Sequence, residues 1–199
     1  MTPATLSIRT AKGQGTIRGL RVAQPEGFGS GDAIAFEEIH LDFDVSSLAS
    51  GDPYVIERVS VAAPEVTYVV NERRQSNLGR IQQNLARYES DDVPADAAPG
   101  EPDVRIRIDR LEVERGRIEA DLRALGLGRT TAKLPTMEAD GVGGSRGATP
   151  DELAVSLGGR FLERTMSAIS VTAIGSTLDR TIEQGTKTVR GLLDALRGR

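Results

Sequence analysis

YVIERVSVAAPEVTY, residues 54–68, reads as a strand, a break marked by Pro64 and a second strand. Two weaker copies lie elsewhere in the chain: IRGLRVAQPEG at residues 17–27 and IDRLEVERGRIEA at residues 108–120. Laid over one another without gaps, Ile56, Ile17 and Ile108 coincide, then Val59, Leu20 and Leu111, then Val61, Val22 and Val113. The breaker falls at Pro64, Pro25 and Gly116. A spacing shared at three places points to one supersecondary unit used repeatedly. Between Ile56 and Val59, and again between Ile108 and Leu111, the apolar period slips by one residue. A β-bulge at each slip would keep the apolar side chains on one face and curve the sheet.

Working outward, residues 5–10 alternate as a half-buried strand, and residues 16–22 form a second one. Residues 36–45, FEEIHLDFDV, alternate strictly, with Ile39, Leu41, Phe43 and Val45 on one face and Glu38, His40, Asp42 and Asp44 on the other. Between these strands, residues 24–32 are a Gly- and Pro-rich loop that Phe28 should anchor to the sheet. Residues 46–52 read as a turn with Leu48 tucked inward. Ser76 caps a predicted helix over residues 77–88, with the stripe Leu78, Ile81, Leu85 and Tyr88.

Residues 104–125 return to strands, residues 127–137 add one more, and residues 141–147 are a loop. The intervening stretch 89–103, ESDDVPADAAPGEPD, has acids and prolines but no base, so we expect a mobile linker. Thr149-Pro150-Asp151-Glu152 is a helix start with a capping box. Its stripe is Leu153, Leu157, Phe161, Leu162, Met166 and Ile169, while residues 167–174 are β-branched enough to leave helix or strand open. A second helix follows Ser176, with Leu178, Ile182, Val189, Leu192, Leu193 and Leu196 on one side. Strands first and helices last predict an α+β class. The expected architecture is a curved, mostly antiparallel β-sheet with one short helix and two C-terminal amphipathic helices. Residues 1–148 form the β-rich part and residues 149–199 the helical part.

The composition excludes several function classes. A net charge of −4 has the wrong sign for phosphate-driven nucleic-acid binding. The chain has no cysteine, which removes disulfides and thiolate chemistry, and no tryptophan. The Gly clusters near residues 13–15 and 27–31 precede strands and lack a Lys-Ser/Thr pair, so they are not phosphate loops. His40, Asp42 and Asp44 could hold a metal or serve as base and acid, but one strand rarely supplies a whole site and no second His completes the set. The arginines at 105, 107, 110, 115, 117 and 123 could form a headgroup patch, yet interspersed acids favour ion pairing. We therefore expect no catalytic residue, no metal and no cofactor.

The candidate site is instead the apolar face of the sheet: Ile39, Leu41, Phe43, Ile56, Val59, Val61, Ile106, Ile108, Leu111 and Val113. Left bare it would exceed what soluble monomers expose, so a helix, a second subunit or lipid must cover it. The helix from Thr149 has the length to do so. That leaves Leu178, Ile182, Val189, Leu192 and Leu196 as a helix that docks a partner or self-associates.

Residues 15–28 (GTIRGLRVAQPEGF), 34–48 (IAFEEIHLDFDVSSL), 54–71 (YVIERVSVAAPEVTYVVN), 76–85 (SNLGRIQQNL) and 149–154 (TPDELA) resemble the small members of the AsmA-like (DUF748-related) bacterial envelope protein family. Gln24 stands where that family usually has asparagine. The resemblance implies a Gram-negative periplasmic protein, anchored in the inner membrane by one N-terminal helix, that maintains the envelope by handling or contacting lipid. Larger relatives build long β-grooves linked to phospholipid transport and outer-membrane biogenesis. The strands here are too few for a conduit between membranes. Residues 1–5 show neither a basic stretch nor an apolar run, so we expect the membrane tether to be missing from this sequence. The partners implied are a phospholipid or an envelope protein, with a homo-oligomer as a further expectation and no nucleic acid. The alternative is a non-enzymatic scaffold that docks a partner through its C-terminal helices.

Overall fold

A computed structural model describes residues 4–9, 12–51, 53–90, 104–170 and 172. Its elements are mixed α/β, mostly strands in one curved, open sheet. In chain order they are β1 (Thr5–Arg9), β2 (Gln14–Ala23), β3 (Asp32–Phe43), α1 (Val45–Ser50), β4 (Tyr54–Val61), β5 (Glu65–Val69), α2 (Asn77–Ser90), β6 (Ile106–Val113), β7 (Gly116–Asp121), β8 (Arg129–Leu134), β9 (Met137–Val142) and α3 (150–170).

The repeat of residues 54–68 and 108–120 is structural. β4 runs parallel to β6 with Ile56 beside Ile108, Val59 beside Leu111 and Val61 beside Val113. Beyond the break, β5 runs parallel to β7 in the same register, with Glu65 beside Arg117 and Val69 beside Asp121. Each copy is one long strand broken at the same height. The breakers meet: Arg117 donates its N–H to the Pro64 carbonyl at 3.0 Å, and a Cβ on Gly116 would strike that oxygen. Glycine is required there for space. β8 and β9 form a third broken strand, antiparallel to β7 and β6 respectively, with their break at residues 135–136. Three strands thus crease along one line. β3 spans the crease unbroken, pairing with β5 near Ile34 and with β4 near Ile39. The copy at residues 17–27 does not join this set. Its strand, β2, pairs antiparallel with β3, and Pro25 leads into a loop.

Of the two predicted bulges the one between Ile56 and Val59 is present, whereas β6 pairs with β9 across Ile108 to Leu111 without a register shift. Asp42 pairs with Arg58 but Phe43 pairs with Ile56, leaving Glu57 as the extra residue of a bulge. Glu57, Arg58, Asp109 and Arg110 all face water. On β9 the same line is crossed by Gly141, whose φ of 61° suits a residue without a side chain.

Several expected boundaries shift. β3 ends at Phe43, because the Asp44 carboxylate accepts the Ser46 N–H at 2.8 Å and caps α1. Val45 therefore leaves the sheet and is 51% exposed, and residues 45–50 are helix rather than turn. α2 continues through Ser90, taking in the start of the acidic stretch, whose residues 91–103 lie outside the described residues. Residues 127–137 hold all of β8 and the first residue of β9 rather than one strand, because Pro135 cannot continue a ladder. β9 extends through Val142, into the stretch read as loop. β1 is exposed at every position rather than half-buried. Residues 167–170 are helical.

α2 is capped by the Ser76 hydroxyl, which accepts the Gly79 N–H. α3 carries the predicted capping box, with Thr149 Oγ1 accepting from Glu152 N–H and Glu152 Oε2 from Thr149 N–H. Both helices lie over the sheet. Leu78 of α2 and Phe161, Leu162 and Ile169 of α3 belong to the same apolar cluster as the strands.

Candidate functional site: an apolar sheet face open at one edge

Residues directly opposite in a ladder point to the same face. The ladders here assemble two long apolar rows. One runs Leu6, Ile17, Ile39, Val61, Val113, Met137 across β1, β2, β3, β4, β6 and β9. The next runs Ile8, Gly15, Leu41, Val59, Leu111, Ala139 across the same strands. A third row joins Phe43, Ile56, Ile108 and Val142.

All ten residues predicted for the face lie in one cluster. Ile39, Ile56, Val59, Val61, Ile108 and Val113 are buried, and Leu41, Phe43, Ile106 and Leu111 pack against them partly buried. The helix beginning after Thr149 covers them, as its stripe predicts. Phe161 meets Phe36 at 5.6 Å between ring centroids, a tilted aromatic contact. Leu162 keeps only 1% of its surface. Beside α3 a cleft of about 440 Å3 remains, lined by Leu111, Met137, Ala139 and Leu157 and by Arg160 and Arg164.

Burial falls off along the rows. In the first row, Val113, Val61 and Ile39 are 4%, 6% and 8% exposed, but Leu6 is 58% exposed. In the second, Ile8 is 49% exposed. Leu20, opposite Phe36, adds a further exposed apolar residue. Among the described residues the β1 end of the rows is thus uncovered, while on β2 Gly15 is buried and Ile17 packs against the core. The sequence reading did not assign Leu6, Ile8, Ile17 or Leu20 to the site. The signal was available in the turn at Gly13, which sets Leu6 opposite Ile17. The predicted docking residues Leu178, Ile182, Val189, Leu192 and Leu196 lie outside the described residues.

The opposite face is polar and largely self-neutralised. His40 is exposed, with Nε2 3.6 Å from a Glu38 oxygen. Glu38 in turn accepts from Arg18 at 2.8 Å, and this bond holds its carboxyl below the usual range. The Asp44 carboxyl is spent on the α1 cap and is likewise lowered, chiefly by the Ser46 hydroxyl. Asp42 pairs across the sheet with Gln14 and Arg58. Among the described residues no three His, Asp or Glu side chains come together as a metal site. Several arginines pair with acids two residues along their own strand: Arg107 with Asp109 at 2.8 Å, Arg110 with Glu112 at 2.5 Å and Arg117 with Glu119 at 3.1 Å. Cross-strand pairs occur as well: Arg18 with Glu38, Arg21 with Asp32, Arg110 with Glu138 and Arg129 with Asp121.

One polar node sits inside the fold. Asn77 is fully buried. Its Oδ1 accepts from the Val69 and Leu78 amides at 2.9 and 2.8 Å. Its Nδ2 donates to the Thr67 carbonyl at 2.6 Å and to Gln24 Oε1 at 2.9 Å. Gln24 and Asn77, which lie within two of the stretches quoted for the AsmA-like resemblance, therefore meet in space. Phe28 is buried near this node, but in a cleft shared with Asn71, Gln75 and Arg80 rather than on a strand face.

With this geometry in hand, comparison with known proteins adds no relative. No family model matches the chain, and neither does any curated protein or solved structure. No helix among the described residues is long and apolar enough to cross a membrane.

Proposed function

We propose that this chain is a periplasmic envelope-maintenance module, tethered to the inner membrane in its full-length form, that contacts lipid through its apolar sheet face. The observation that carries the reading is the pair of apolar rows that are buried in the middle of the sheet and bare on β1, at Leu6 and Ile8, among the described residues. Leu6, Ile8 and Leu20 are contiguous with the core, so an acyl chain laid on them would extend a surface that is already dry. Apolar burial of this kind contributes about 25 cal/mol per Å2 and needs no directional polar group. The compartment and the tether come from the AsmA-like resemblance. No nucleophile, base or ligand cluster is assembled among the described residues, and the proposal is therefore non-enzymatic. The scaffold alternative draws on the C-terminal helices. Since α3 contributes Phe161 and Leu162 to the core, that role would fall on residues 173–199.

The test uses vesicles of phosphatidylethanolamine and phosphatidylglycerol with a photoactivatable group in the acyl chain. After irradiation, cross-linked peptides should come from β1 and β2. Cross-links confined to the Arg18–His40 face, or none at all, would count against lipid contact through the apolar rows.

A further inference from the structure

We propose that the cleft between α3 and β9 binds a long-chain fatty acid, with its acyl chain on the apolar floor and its carboxylate on Arg160 and Arg164. This site lies at the far end of the rows from β1, and the inference does not rest on the lipid reading given for that end. β9 is an outer strand of the sheet, and the two rows finish on it at Met137 and Ala139. Neither row is sealed there. Val113 is 4% exposed, whereas Leu111, Met137, Ala139 and Leu157 pack against the core only partly buried. These four side chains line a cleft of about 440 Å3. Ligand pockets run from about 300 to 1,000 Å3. A cleft at the small end of that range suits one acyl chain rather than two.

The rim supplies the place for a charged head. Arg160 and Arg164 line the same cleft and stand one helical turn apart on α3. Both are exposed, and neither forms an ion pair among the described residues. Arg107, Arg110 and Arg117 on the strands each hold an acid instead. Like charges at helical spacing repel, so an anion set between them relieves that repulsion as well as accepting their hydrogen bonds. Two acids share the rim. Glu138 lies 3.6 Å from Arg110, and Glu163 is exposed. Two guanidinium charges against the one carboxylate left over give a surplus of one positive charge, which matches a monoanion. A small anion would leave the floor unused, and an apolar peptide would leave the arginines unused. A chain with a carboxylate at its end uses both.

The test titrates the full chain with the fluorescent fatty acid cis-parinaric acid, then displaces it with palmitate or methyl palmitate at concentrations where each is monomeric. Palmitate should displace the probe from a single site per chain. Methyl palmitate, with the same chain and no charge, should need about tenfold more. Arg160→Gln with Arg164→Gln should weaken palmitate about tenfold and leave methyl palmitate unchanged. Both arginines are exposed, so this variant keeps the fold. Ala139→Trp should fill the floor and weaken both ligands. Leu6→Asp with Ile8→Asp separates this site from the β1 end, and palmitate should still bind there. Equal displacement by palmitate and its ester, unchanged palmitate affinity in the arginine variant, or no binding at all would each overturn the inference. Palmitate binding that is lost in the β1 variant but kept in Ala139→Trp would place the acyl chain on β1, overturning the inference and leaving the lipid proposal intact.

Discussion

Asn77 is buried with both of its polar atoms doubly engaged, joining β5, the start of α2 and the Gln24 loop. Asn77→Asp keeps the shape but turns two donors into an acceptor facing the Thr67 carbonyl and Gln24. Leaving such a charge without a partner costs about 3–5 kcal/mol, readable as a lower urea midpoint. A loss below about 1 kcal/mol would mean that the node is open to water. Two glycines should respond in opposite directions. Gly116→Ala drives a Cβ into the Pro64 carbonyl and should destabilise by about 1–3 kcal/mol. Gly159→Ala, in α3 with nothing near its Cβ, should stabilise by about 0.5–1 kcal/mol. Asp121 accepts from Arg123 at 2.7 Å and from Arg129 at 3.2 Å. The Arg123 bond is the main cause of a carboxyl pKa far below its ordinary value. A lowered folded pKa gives stability that is present above the unfolded value, about 3.9, and lost as pH falls below it. The urea midpoint should therefore drop between pH 5 and pH 3, and drop less in Asp121→Asn. Equal losses in both proteins would show that the pair contributes nothing.

The strand-break-strand unit was legible because Ile56, Val59, Val61 and Pro64 share their spacing with Ile108, Leu111, Val113 and Gly116, and the pairing register is that same offset. What the spacing could not supply was the direction of pairing, since a local period says nothing about the neighbouring strand. Thus the parallel contacts at the centre of a mostly antiparallel sheet were not foreseen. α1 was hidden for another reason: six residues give no stripe, and its Asp44 cap looked like one more alternating strand residue. The interior of the site was readable from alternation at Ile39, Leu41 and Phe43. Its open edge was not, because alternation at Leu6 and Ile8 reports that one face could be buried, not what lies over it. On the other face His40 makes only exposed contacts. His40→Ala should leave stability within about 0.5 kcal/mol of wild type. It should also leave the metal content measured by atomic emission unchanged; stoichiometric zinc lost on substitution would revive the metal reading.

The described residues form a creased sheet with α2 and α3 on one side and solvated ion pairs on the other. Its apolar rows begin in the core and end in the open. The claim that most needs testing is that the β1 end of the rows takes up lipid. The direct measurement is native mass spectrometry of the full chain purified from the periplasm of a Gram-negative host, compared with Leu6→Asp/Ile8→Asp. Phospholipid-bound species should be present in the first and several-fold depleted in the second, because each aspartate places a charge where an acyl chain would lie. A chain that carries no lipid, or carries as much after both substitutions, would contradict the claim.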